Sequence, residues 1–193
     1  MSVVTSLPDL SELPKLGFEE WRRFFVGATE AVLRWIPDAG VALFFQSDVR
    51  FRGRWLDKGY LVLRVADELG APLVFHKIVC REPPGTPSYG RATYSHLLCF
   101  SKRSPTTPRT PSPDVLADAG FKPWSKATGE LASALCCRYL VDETETRVVV
   151  DPFCGQGTIL AVANAFGLSA IGVDTSARKC RVARRLVART RLP

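Results

Sequence analysis

The segment Val148-Val149-Val150-Asp151-Pro152-Phe153-Cys154-Gly155-Gln156-Gly157-Thr158 constrains the fold more than any other part of the chain. Its valine run, from Arg147 to Val150, reads as a strand buried on both faces, as in a parallel sheet. The strand ends on an acid, and a Gly-x-Gly turn leads into an apolar stretch, Thr158 to Phe166, expected to be helical. The glycines let the backbone turn tightly and approach a ligand closely, and the helix start presents free N–H groups. A second strand, Ala170 to Val173, leads to Asp174, 19 positions past Gly155. An acid there can accept hydrogen bonds from a ribose diol, while Asp151 can face the ammonium of a bound amino acid. No Gly-Lys-Ser/Thr follows the turn, which disfavours a phosphate cradle.

The rest of the chain alternates in the same way. Val3 to Thr5 reads as a short strand and Phe18 to Ile36 as a helix with apolar residues at 21, 24, 25, 28, 32 and 35. Val41 to Gln46 is a buried strand and Leu61 to Leu69 a helix closed by Gly70. Pro72 to Cys80 and Tyr94 to Ser101 flank a Pro/Gly-rich loop and are expected to pair as a hairpin. The spacing predicts helices over Trp124 to Leu140 and Ala177 to Arg189. The expected fold is an α/β Rossmann-like sandwich with a six-stranded, mostly parallel sheet that carries the hairpin pair. The whole chain, 1–193, is expected to be one domain. Residues 1–102 form one half, 103–121 a mobile Pro-rich linker, and 122–193 the half that carries the glycine turn.

Asp-Pro-Phe-Cys-Gly-Gln-Gly-Thr resembles the Asp-Pro-Phe-x-Gly-x-Gly-Thr motif of the permuted amino-methyltransferases. These are the N4-cytosine and N6-adenine DNA methyltransferases and their RNA-modifying relatives. Lys122-Pro123-Trp124 resembles the Lys-Pro element that precedes this motif. Phe75-His76-Lys77 and Tyr94 to Lys102 resemble two further strands of the family. The resemblance implies S-adenosyl-L-methionine as cofactor, held by Asp151, Pro152, Phe153, Cys154, Gly155, Gly157, Thr158, Asp174, Thr175, Lys122 and Trp124. It also implies a permuted order, with the catalytic half first.

In that order the first strand of the family ends in Asp/Asn/Ser-Pro-Pro-aromatic. Two acceptors orient the target amino group and an aromatic face stacks the base, so that positioning supplies much of the rate. Here Ser6-Leu7-Pro8-Asp9 stands at that place. Ser6 and the Leu7 carbonyl are candidate acceptors, and Asp9 replaces the aromatic. Asp9 could take a proton, or Trp21, Phe51 or Trp55 could stack from elsewhere. A plain strand-to-helix turn remains the other reading. Gln46 and Asp48 follow the second strand, and Arg50, Arg52, Arg54 and Trp55 follow them. Such interleaved basic and aromatic residues can contact phosphates and stack bases, though a solvated loop has the same composition.

The formal net charge of +7 suits a polyanionic partner. Arg178, Lys179, Arg181, Arg184, Arg185 and Arg189 make the last helix a candidate nucleic-acid surface or a solvated outer helix. The strand before Asp174 is expected at a sheet edge, so self-association or a partner subunit is plausible. The six cysteines form no CxxC pair, so no metal is expected. No apolar run approaches the roughly 20 residues of a membrane helix, and Met1 to Asp9 lacks the character of a signal peptide; a cytoplasmic location is expected. Three functions fit: methylation of a base in RNA or DNA, methylation of a small molecule or protein, or a non-catalytic cofactor-binding subunit.

Overall fold

A computed structural model describes residues 1–103 and 108–189. Its main sheet has the order β7-β5-β6-β2-β1-β8-β9. Strands β1 (Ser2–Thr5), β2 (Val41–Gln46), β8 (Val148–Asp151) and β9 (Ser169–Gly172) run parallel. Strands β5 (Leu73–Cys80) and β6 (Tyr94–Ser101) form the antiparallel hairpin, and β6 joins β2 antiparallel. The sheet therefore has seven strands where six were expected. The added strand, β7 (Val115–Leu116), pairs with Ile78 and Val79 of β5. It lies inside the expected linker and is too short for any periodicity to reveal. The same segment continues into buried Ala119, whose carbonyl accepts from Leu131 and Ala132. Residues 104–107 of that linker, and 190–193 at the end of the chain, lie outside the described residues.

Two apolar layers enclose the sheet. On one face α1 (Phe18–Trp35) and α2 (Lys58–Glu68) pack. Trp21, Phe25, Val32 and Leu33 of α1 are buried, a helical stripe. Asp57 caps α2 by accepting from the Tyr60 N–H at 2.7 Å. On the other face lie α3 (Glu130–Glu143) and α4 (Thr158–Ala165), with Cys136, Cys137, Leu140 and Val162 in the core.

Helix α3 starts at Glu130, not Trp124. Gly129 holds φ +95°, and a Cβ there would meet the Ala119 carbonyl at 2.3 Å, so the helix cannot extend back through it. The last helix, α5 (Ala177–Ala183), is also shorter than expected. The chain turns at Arg184 and Arg185, and the Arg189 N–H donates to the buried Glu130 carboxylate at 2.9 Å. Among the described residues no helix is long and apolar enough to cross a membrane.

The pairing that positions the site is β1 with β8. Ser2 lies opposite Val149 and Val3 opposite Val150, although more than 140 residues separate them. The loops after Thr5 and after Asp151 therefore leave the same edge of the sheet, side by side.

Candidate active site

The two loops form facing walls of a cavity of about 600 Å³. Thr5 ties them together, since its hydroxyl donates to Asp151 Oδ1 at 2.6 Å. The Phe153 N–H also donates to that oxygen at 3.1 Å. The sequence candidates Asp151, Pro152, Phe153, Cys154, Gly155, Thr158, Asp174, Thr175 and Trp124 line the cavity, as do Ser6 and Pro8. Leu7 and Asp9 instead line a smaller recess that opens beyond Ser6.

The glycine turn divides two tasks. Gly155 has φ +55°, and a Cβ on it would project into open space. Gly157 has φ +85°, and a Cβ there would come within 2.7 Å of Ala183 Cβ. The first leaves room in the cavity; the second lets α5 pack against the turn. Gly157 does not itself line the cavity.

Asp151 is 5% exposed. Burial pushes its carboxyl up to about 7, despite the Thr5 and Phe153 hydrogen bonds that pull it down. Thr158 Oγ1 is buried and has no hydrogen-bond partner among the described residues. A buried carboxyl short of a cation and an orphaned hydroxyl on one cavity fit a zwitterionic amino-acid ligand. Asp174 takes part in local structure as well. Its Oδ1 accepts from the Ser176 N–H at 2.7 Å and its Oδ2 from Lys179 Nζ at 3.4 Å. Lys122 does not reach the cavity; its ammonium donates to the Arg81 carbonyl at 3.0 Å. Sequence reasoning missed Thr5, Phe24, Phe45 and the loop Lys126 to Thr128, which also line the cavity. The helical spacing of residues 124–140 hides the loop, and the pattern around the others points only to strand and helix core.

The acceptor candidates are held from behind. The Pro8 carbonyl accepts from Trp21 Nε1 at 3.1 Å, and Asp9 pairs with Arg91 at 3.3 Å. Trp21 is fully buried, and Phe51 stacks on Phe18 at 4.7 Å. Neither ring reaches the cavity. Phe24, Phe45, Trp124 and Phe153 do.

Gln46 and Asp48 lie behind the cavity rather than on it. Gln46 is buried, and neither of its amide atoms has a hydrogen-bond partner among the described residues. Asp48 accepts from the Lys58 N–H at 2.9 Å and pairs with His96 at 3.0 Å, and His96 in turn bonds His76 at 2.9 Å. Burial alone would raise the Asp48 carboxyl, but the His96 bond and charge and the backbone N–H bonds of Lys58 and Gly59 together outweigh it and hold the carboxyl below its ordinary range. Asp48, Asp57 and His96 bring ligand-type atoms within 4.8 Å of one another. Arg50, Arg52, Arg54 and Trp55 form a separate hairpin of β3 (Val49–Phe51) and β4 (Arg54–Leu56), with the Arg50 guanidinium 5.6 Å over the Trp55 ring.

No protein-family model matches the chain, and no curated protein matches it in sequence. Solved structures do match in fold. TTHA0409 of Thermus thermophilus, a candidate DNA modification methylase, is 22% identical with a TM-score of 0.69, over 95% of this chain and 84% of that one. The cytosine-N4-specific PvuII DNA methyltransferase is 17% identical, with a TM-score of 0.63 over 96% and 85%. The M1.HpyAVI complex with its SAM ligand is 14% identical, with a TM-score of 0.62 over 95% and 86%. The chain shares its Rossmann-like α/β sandwich with these structures.

Proposed function

We propose that the chain is an S-adenosylmethionine-dependent methyltransferase that acts on a base of a nucleic acid, RNA or DNA. The observation that carries this reading is the cavity built jointly by the loop after β1 and the glycine turn after β8, bridged by Thr5 and Asp151. Structures of the same fold, including TTHA0409, have been determined with S-adenosyl-L-methionine, and one neighbour is a cytosine-N4-specific DNA methyltransferase.

Asp151 would hold the cofactor's ammonium, Asp174 its ribose hydroxyls, and Gly155 would let the backbone come close. When bound, the cofactor supplies an electrophilic sulfonium methyl. Ser6 and the Leu7 carbonyl would accept hydrogen bonds from the target amino group and turn its lone pair toward that methyl. Asp9 and Arg91, as a pair, would fix the loop and offer a carboxylate for the proton that the methylated nitrogen releases. The charge of +7 and the β3–β4 hairpin, with half-exposed Trp55, support a phosphate-bearing acceptor. The β9 edge, with exposed Ile171, would suit a second copy or a partner subunit. A cytoplasmic setting agrees with the six free cysteines.

The test is transfer of tritiated methyl from S-adenosylmethionine to total tRNA, rRNA, genomic DNA and protein extract. Label in a nucleic-acid pool supports the reading. Label confined to protein or small molecules refutes the nucleic-acid substrate, and no transfer despite cofactor binding leaves a non-catalytic subunit.

A further inference from the structure

The recess beyond Ser6 is lined by two acids, Asp9 and Glu12, and four cations, Lys58, Arg81, Arg91 and Lys126. Asp9 pairs with Arg91 at 3.3 Å and Glu12 with Lys126 at 3.0 Å. Both acids are thereby matched, and two cations remain. Lys58 is 4% exposed, yet no described residue gives its ammonium a hydrogen bond or an ion pair. Among the described residues the Arg81 guanidinium has only the Ser47 hydroxyl, at 3.2 Å. Asp48 is already committed to His96 and to the Lys58 backbone N–H.

An unpaired buried cation is costly unless something negative meets it. Burial accordingly lowers the Lys58 ammonium from its ordinary value, partly offset by the more distant charges of Asp9, Asp48 and Glu12. The recess shares Ser6, Phe45 and the Lys126 to Thr128 loop with the cofactor cavity, so the two are continuous. A ligand seated here would lie at the Ser6 end, opposite Asp174.

We infer that Lys58 and Arg81 form a receptor for an anionic oxygen group, a phosphate or carboxylate, carried by the methyl acceptor. The inference rests on the methyltransferase reading above. It assigns the end of the acceptor next to Ser6 a negative charge, in a recess whose acids are already paired.

The test titrates the full chain, loaded with S-adenosylhomocysteine, with inorganic phosphate and with acetate. Binding is followed by ³¹P line broadening and by saturation transfer to the acetate methyl. The wild-type chain should bind at least one of the two. Phosphate preference assigns the group to a nucleotide, and acetate preference to a carboxylate-bearing acceptor. Lys58→Met and Arg81→Gln should each weaken the anion at least tenfold while S-adenosylhomocysteine affinity stays within twofold. Lys58→Met keeps the buried stem, so a folding failure of one variant leaves the other to decide. Unchanged anion affinity in both variants overturns the receptor. So does a parallel loss of S-adenosylhomocysteine, which would mean that the cations hold the cofactor's own carboxylate. Failure of the methyltransferase reading shows separately, as no S-adenosylhomocysteine binding by the wild-type chain.

Discussion

If Asp151 holds the cofactor's ammonium as proposed, cofactor binding should depend on pH in a direction that follows from its burial. Burial pushes its carboxyl up to about 7 in the folded chain, against about 3.9 for an exposed aspartate. Only the ionised form can pair with an ammonium. Roughly a tenth is ionised at pH 6 and half at pH 7, so S-adenosylmethionine should bind about fivefold more tightly at pH 7 than at pH 6. The gain levels off near pH 8, where the ligand's amino group begins to lose its proton. Stability of the unliganded chain runs the opposite way. A raised carboxyl favours folding fully below its unfolded value and loses that contribution as pH rises through 7, on the order of 4 kcal/mol from this group. Asp151→Asn should remove both dependences, binding weakly at all pH values and melting without the decline between pH 4 and 7. Calorimetric titrations from pH 5.5 to 8 read the affinity, and thermal melts read the stability. An affinity flat across pH 6 to 7 in the wild-type chain would refute the assignment of Asp151 to the ammonium.

Asp174→Ala should weaken S-adenosylmethionine and S-adenosylhomocysteine alike, by about tenfold, since both carry the same ribose; parallel titrations check this, and unchanged values leave Asp174 as a local acceptor for Ser176 and Lys179. Asp9→Ala should reduce turnover far more than cofactor affinity, because it acts on the acceptor side; single-turnover transfer set against a binding isotherm separates the two. His96→Leu should destabilise the fold by about 3 kcal/mol, because buried Asp48 loses its paired group, as denaturant unfolding would read. Gly157→Ala should lower the melting temperature through the 2.7 Å clash with Ala183, whereas Gly155→Ala, facing open space, should cost only the left-handed backbone strain of about 1 kcal/mol.

What could be read in advance followed from periodicity and glycine chemistry. The valine run and the Gly-x-Gly turn located β8, α4 and the sheet edge they share, and the permuted order implied by the family resemblance agrees with β1 lying beside β8. Strand β7 escaped because two residues carry no period. The start of α3 is not legible because the spacing through Lys126, Ala127 and Thr128 suits a helix, and only the positive φ of Gly129 ends it there. The paired acids of the recess were illegible for a different reason. Asp9 meets Arg91, and Glu12 meets Lys126, across long stretches of sequence, and no local pattern announces such pairs. Lys58 could have been noticed as a cation directly after the capping Asp57, yet nothing in its neighbourhood foretold burial.

The most direct test of the account is equilibrium binding of tritiated S-adenosylmethionine to the wild-type chain and to Gly155→Val. The substituted side chain would enter the cavity from a position with no neighbouring atom within 4 Å, so the fold should survive with the left-handed strain alone. The wild-type chain should bind one equivalent, and the variant should retain a cooperative melt while losing the ligand. No binding by the wild-type chain, or equal affinity in a folded Gly155→Val, would contradict the assignment of the glycine turn to the cofactor.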